Sequence, residues 1–241
     1  MLHKIRGIVL KTTPYSESSV VVQIFTDKFG LQSYLINGVK KPRAKITMNM
    51  LQPLHLLDMV AYFKQSTAIQ RLAEARPAPS FTTIPYNILK NTMTMFLNEV
   101  LYKSIRQQGA DEQLFDFLHH AVCWLDETPN IHPNFHLAFL LKITKYLGFA
   151  PSIGRRGDQL YFDLQEGEFT ALMPPHLNFL HDQDASAFLA LYSVGFERLD
   201  TVSLSTRTRR ALLEKILLYY RLHTASFGEI QSHHILEEVL G

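Results

Sequence analysis

The sequence predicts an α+β protein: an amino-terminal five-stranded barrel of the OB type, followed by an all-helical domain that carries an inserted β-hairpin. Three observations predict it. The first 76 residues fall into short runs rich in Val, Ile, Phe, Tyr and Thr, separated by turn residues. A stretch punctuated by prolines, Arg76-Pro77-Ala78-Pro79-Ser80, then breaks the pattern. Beyond it the apolar residues recur at three- and four-residue spacing, the period of one buried helix face. At 241 residues and 46% apolar composition, the chain is long enough to bury one sizeable core or two that pack together.

Ile5–Thr12, Ser19–Asp27 and Leu31–Asn37 read as the first three strands. Asp27-Lys28-Phe29-Gly30 joins the second to the third, with glycine where a tight hairpin needs positive φ. Leu54–Phe63 and Ala68–Ala75 bring the count to five. The domain division falls at 79/80, giving a barrel domain over 1–79 and a helical domain over 80–241.

In the second region Leu89, Met93, Phe96, Val100 and Leu101 mark a helix over Pro85–Gln107. A second helix spans Asp111–Leu125, and a third runs from Pro133 to Leu147 and stops at Gly148. The helical period fails at about 151–175, where Gln159–Leu164 and Phe169–Met173 flank Glu166-Gly167-Glu168 as a hairpin. Helices resume over Asp184–Gly195, Ser205–His223 and Ser232–Leu240, with serines able to cap the last two.

Charge is distributed unevenly. Of the 24 basic and 22 acidic side chains, residues 1–45 hold Lys4, Arg6, Lys11, Lys28, Lys40, Lys41, Arg43 and Lys45 against only Glu17 and Asp27. The remainder is therefore net acidic, and the amino-terminal end is the one suited to an anion. The run Lys40-Lys41-Pro42-Arg43-Ala44-Lys45 falls in a loop between strands, where concentrated positive charge suits a phosphate backbone. Tyr15, Phe29 and Tyr34 offer rings on which bases could stack. The plainer alternatives are a solvated loop for the lysines and barrel packing for the rings. A second basic set, Arg207, Arg209, Arg210 and Lys215, opens a long helix, where positive charge gains nothing from the helix dipole. Arg207 and Arg210 share a face there and Arg209 points elsewhere.

Enzymatic chemistry finds little support. There is no nucleophile elbow and no cysteine-protease signature, and Gly154-Arg155-Arg156-Gly157 lacks the Lys-Ser/Thr ending of a phosphate loop. His132 and His136 are four apart without the glutamate of a zincin and read as helix-surface residues; Asp126 and Glu127 read as solvated acids. The single cysteine, Cys123, leaves neither a disulfide nor a thiolate zinc set. No metal or cofactor is expected. The opening residues reach only the short apolar stretch Ile8 to Leu10 before Lys11, and no apolar run approaches a membrane span, so a soluble cytoplasmic protein is expected.

Several stretches carry a resemblance. Gly7-Ile8-Val9-Leu10-Lys11-Thr12, Tyr15-Ser16-Glu17-Ser18 and Phe25-Thr26-Asp27-Lys28-Phe29-Gly30 are followed by Asn37-Gly38-Val39-Lys40-Lys41-Pro42-Arg43 and Leu51-Gln52-Pro53-Leu54. Tyr146-Leu147-Gly148-Phe149 and Ser232-His233-His234-Ile235-Leu236 continue the series, which resembles the bacterial RecO family over nearly the whole length. The resemblance implies an OB domain and a helical domain that act without catalysis in the RecFOR pathway of DNA repair and recombination. It implies binding of single- and double-stranded DNA, annealing of complementary strands, and loading of recombinase onto DNA coated by single-strand-binding protein (SSB), with RecR as partner. The sites expected on DNA are Lys4, Arg6, Lys11, Lys40, Lys41, Arg43, Lys45, Arg207 and Arg210. Lys142 and Lys145, three apart on one helix, are the candidate rim of a pocket for the acidic carboxy-terminal tail of SSB. Location in the bacterial cytoplasm, at the nucleoid, follows from the same resemblance. Many members of the family carry four cysteines in a zinc-binding insertion after the third helix; here that place has none, so zinc should be absent. Two other readings remain open: a helical adaptor whose barrel binds protein, and a nuclease, for which the acids are too scattered.

Overall fold

The computed structural model describes residues 1–105, 109–153 and 161–241. Within these the chain forms two compact units, Met1–Pro129 and Asn130–Gly241. The first unit therefore contains the barrel together with the two helices after it, whereas the division at 79/80 follows the change from strand to helix. The Gly154–Gly157 turn, the end of the first predicted helix at Gln107 and the start of the first hairpin strand at Gln159 lie outside the described residues.

The strands of the first unit are β1 (Leu2–Pro14), β2 (Val20–Thr26), β3 (Gly30–Ile36), β4 (Leu56–Tyr62) and β5 (Ile69–Pro77). They close into a barrel in the order β1-β2-β3-β5-β4, with β3 and β5 parallel and the other pairs antiparallel. The long first strand serves both sides of the closure. Leu2–Ile8 pairs with β4, and Gly7–Pro14 pairs with β2. At Gly7, where the two ladders overlap, an added Cβ would sit 2.5 Å from Ile24 Cγ2 and from Met59 Cε, so the curl of the strand into the core requires glycine. The hairpin at Gly30 has the expected positive φ of 64°. Its turn is fixed by Thr26, whose hydroxyl donates to the Gly30 carbonyl and accepts from the Phe29 N–H.

Inside the barrel, Ile5, Val9, Val22, Ile24, Tyr34 and Met59 are among the residues that form the core. Ile8, Val9 and Leu10 are all buried, which strict strand alternation forbids for a sheet with one wet face. The explanation is a bulge between Val9 and Lys11, together with cover from α1 (Ile88–Ser104), whose Asn98 side chain donates to the Leu10 carbonyl at 2.9 Å. Likewise Phe25 on β2 is buried, with its ring 6.2 Å from that of Phe115 on α2 (Glu112–Glu127).

The segment between β5 and α1 is pinned from α2. Asp126, expected as a solvated acid, is 5% exposed, and its carboxylate accepts from the backbone N–H groups of Thr82, Thr83 and Ile84 at 2.8, 2.9 and 2.8 Å. The Thr83 hydroxyl bonds the Asp126 carbonyl, and the buried Lys90 ammonium donates to both that carbonyl and the Thr83 hydroxyl. Burial by itself would raise the Asp126 pKa, but the converging N–H donors outweigh it and hold the carboxyl below its ordinary range.

The second unit contains α3 (Phe135–Leu147), the strands β6 (Tyr161–Asp163), β7 (Glu168–Thr170) and β8 (Phe179–His181), then α4 (Asp182–Ser193), α5 (Thr206–His223) and α6 (Ser232–Leu240). The third helix begins two residues later than Pro133 and ends as expected at Gly148, whose φ is 87°. His132 therefore precedes the helix. His136 is 1% exposed, not a surface residue, and burial holds its pKa down at about 3. Ser205 caps α5 by accepting from the Thr208 N–H; for α6 the cap position is Gln231, whose side chain does not cap the helix.

The insertion is a three-stranded sheet in the order β7-β6-β8, because the short segment Phe179–His181, too brief to show a period, pairs on the far side of β6. Its centre is Phe162, fully buried against Phe188 at 4.4 Å and Phe169 at 4.8 Å between ring centroids. The ring of His223 on α5 bonds the Leu164 carbonyl at 2.8 Å, and the Asp163 carboxylate accepts from the N–H groups of Gln165 and Glu166 at the turn. The sheet is thus held by backbone pairing, aromatic packing and a few polar tethers.

Candidate nucleic-acid interface

The basic loop lies between β3 and β4, and two apolar anchors set its shape. Val39 and Ile46 are buried in the barrel core, and the Val39 N–H donates at 2.9 Å to the carbonyl of Ser18 in the β1–β2 loop. Everything between the anchors is forced outward. Gly38, at a φ of 73°, starts the excursion, and two tight turns follow, from the Lys41 N–H to the Gly38 carbonyl and from the Ala44 N–H to the Lys41 carbonyl. Lys40, Lys41, Arg43 and Lys45 are all exposed, and none forms an ion pair among the described residues.

Lys11 joins this set. Lys11 and Lys40 line one cleft of about 310 Å³ with Thr12, Met48, Leu51 and Pro53. The bulge after Val9 leaves Lys11 on the outer surface, where its ammonium donates to the Tyr102 hydroxyl at 2.8 Å and stands 4.3 Å from that ring's centroid. Sequence reasoning does not single out Tyr102; its only signal is a polar-tipped ring off the buried stripe of α1.

Lys4 and Arg6 are placed elsewhere. They line a groove of about 540 Å³ that also contains Asp27, Asp58 and Glu74, so its charge is mixed. Arg6 bonds Asp27 at 3.2 Å and Asp116 at 3.0 Å, with its guanidinium 4.7 Å from the centre of the Phe115 ring. This side chain ties the barrel to α2, and its charge is already answered. Of the three rings considered for stacking, Tyr34 is in the barrel core at 1% exposure, out of reach of a base. Phe29 is stacked on Phe63, centroids 4.0 Å apart, and Tyr15 remains exposed.

In the second unit Arg207 is exposed, whereas the guanidinium of Arg210 donates to the Glu237 carbonyl at 3.1 Å. Arg209 turns inward to Asn134, as its different helix face requires. Lys142 is half-buried and donates to the Tyr192 carbonyl at 3.0 Å; burial lowers its pKa, partly opposed by Glu197. Lys145 is exposed, 5.9 Å from the Tyr146 ring. Among the described residues, no three His, Cys, Asp or Glu side chains converge as a metal site would need. No helix there is long and apolar enough to cross a membrane.

A closed five-stranded barrel whose first strand pairs with both the second and the fourth, and whose third and fifth strands run parallel, is an OB-fold, an architecture used for binding oligonucleotides and oligosaccharides. Residues 1–81 match the family model described as recombination protein O N terminal, and residues 85–228 match recombination protein O C terminal. The protein described as DNA repair protein RecO from Bacteroides fragilis is 32% identical over 240 residues, covering 99% of each chain. Those of the same description from Flavobacterium psychrophilum and Christiangramia forsetii are 34% and 31% identical, over 98% and 100% of each chain. The chain belongs to the RecO family of DNA repair proteins.

Proposed function

We propose that the chain is a non-catalytic recombination mediator that binds single- and double-stranded DNA through its barrel, anneals complementary strands and, with RecR, helps load recombinase onto SSB-coated DNA. The observation that carries the reading is the loop at Lys40, Lys41, Arg43 and Lys45, exposed and without acidic partners among the described residues, with Lys40 beside Lys11 in one cleft. Every Lys or Arg that meets a phosphate releases condensed counterions, which gives affinity indifferent to base sequence, as a mediator requires. Annealing follows from the same chemistry, because neutralised backbones repel less.

Arg207 and Arg210 supply a further site for phosphate, and Lys4 a peripheral one. Arg6, held by two carboxylates, is left to its structural role. RecR and the acidic tail of SSB are the proposed protein partners, with Lys145 and the less accessible Lys142 at the tail site. The proposed place of action is the bacterial cytoplasm, at the nucleoid. The test is annealing of two complementary dye-labelled oligonucleotides. Wild type should accelerate it, and a variant with Lys40, Lys41, Arg43 and Lys45 all changed to Ala should lose most of the acceleration. A wild type without effect, or a variant as fast as wild type, would overturn the reading and favour a barrel that binds protein.

A further inference from the structure

The 3-10 turn Met48–Leu51 separates two clefts of opposite chemistry. On one side is the cleft that holds Lys11 and Lys40. On the other is a groove of about 590 Å³, within the same unit, between this turn, the segment after β5 and the first half of α1. Gln52 and Pro53 line both, so the two clefts share a rim. In a chain with 19% charged residues, the wall of this second groove contains no Asp, Glu, Lys or Arg among the described residues.

What the wall does contain is flat or polarisable surface with neutral polar groups. His55 and Phe81 pack with ring centroids 5.0 Å apart, Tyr86 is 87% exposed and Met95 is 50% exposed. Asn49, Gln52 and Asn91 add amides that both donate and accept. Burial pushes the His55 imidazole below its ordinary pKa, with the carbonyls of Pro53 and Gln52 opposing, which favours the uncharged ring. Such a surface repels neither sign of charge and satisfies the edges and faces of uncharged heterocycles.

We propose that this groove takes the unpaired bases of a single DNA strand whose phosphates lie on Lys11 and Lys40 across the Met48–Leu51 ridge. The inference rests on the DNA-binding reading above and deepens it. A backbone with phosphates on one side and bases on the other matches a cationic cleft and a charge-free groove that share a rim. Duplex bases, already stacked and paired, cannot enter, so the groove favours single strands while the basic loop serves both forms.

The test compares an oligothymidylate with an abasic strand of equal length, both labelled, against wild type, Tyr86→Ala/Met95→Ala and the four-residue loop variant. Tyr86 and Met95 are exposed, so an unchanged circular dichroism spectrum and melting temperature are expected for the double variant. Wild type should prefer the base-bearing strand by about ten-fold or more, as base stacking on aromatic rings provides. The double variant should lose that preference and keep its affinity for the abasic strand. An iodouracil-substituted strand should photocrosslink to Tyr86, His55 or Phe81. A double variant that retains the preference, or crosslinks confined to other surfaces, overturns the inference while a weakened loop variant leaves DNA binding intact as a reading. Failure of wild type to bind either strand overturns both.

Discussion

Changing Asp126 to alanine removes one carboxylate that accepts from three consecutive backbone N–H groups, those of Thr82, Thr83 and Ile84. It also removes the negative charge that favours the ammonium of Lys90, 1% exposed, although the Asp126 carbonyl and the Thr83 hydroxyl still accept from it. Hydrogen bonds to a charged group contribute about 1.5–3 kcal/mol each, but neighbours in one network do not add. A buried donor left unpaired costs about 1–3 kcal/mol, so with three such N–H groups in one network a destabilisation of the barrel unit of about 3–5 kcal/mol is expected. Asp126→Asn keeps one acceptor oxygen but turns an amide N–H toward N–H donors, so a smaller loss of about 2 kcal/mol is expected. The sole tryptophan, Trp124, stands close to the site on α2, so urea unfolding followed by its fluorescence reads this unit directly. The pH dependence has a defined sign. A carboxyl whose folded pKa is depressed stabilises fully above its unfolded value, about 4, and the contribution is lost as pH falls through the folded pKa below that. A loss under about 1 kcal/mol for the alanine variant, or acid sensitivity identical to wild type, would refute the account of this lock.

Acid should also weaken the second unit. His136 is neutral when folded, with a pKa of about 3, and takes up a proton on unfolding below its ordinary 6.5, so stability present above pH 6.5 declines as pH falls toward 3. The melting temperature of His136→Leu should show a flatter slope across that window than wild type. Gly7→Ala presses a methyl group against Ile24 and Met59 inside the barrel and should cost about 1–3 kcal/mol in urea unfolding. Purified protein should contain well under one equivalent of zinc by elemental analysis, and chelator should leave its melting temperature unchanged, because the insertion lacks cysteines.

Most of the fold was legible because strand and helix periods are local. The five barrel strands, the hairpin glycine and the stop at Gly148 follow from alternation, positive φ and capping. Packing between elements was not legible. Nothing in the period of α2 shows that Asp126 reaches back to Thr82, or that a lysine at position 90 is buried to meet it. His136 has the spacing of a surface residue and is instead enclosed, since polarity at one position does not reveal what neighbouring elements cover. The third strand of the insertion escaped because three residues are too few to display a period. At the candidate interface the basic run was visible as charge in a loop, but its grouping with Lys11, and the separation of Arg6 into an internal ion pair, required the closed barrel. The same holds for Tyr34, whose ring is surface or core depending only on which way β3 faces.

The β3–β4 loop is proposed as a phosphate-binding site. Its most direct test is fluorescence anisotropy of a labelled single-stranded oligonucleotide across a salt series, for wild type and for the variant with Lys40, Lys41, Arg43 and Lys45 changed to Ala. Every phosphate left without its cation should reduce the slope of log affinity against log salt by about 0.7, so removing all four cations flattens it by up to about 3. Between about 50 and about 200 mM salt, wild type should lose roughly 50-fold more affinity than the variant. Parallel slopes, or a wild type indifferent to salt, would contradict the account.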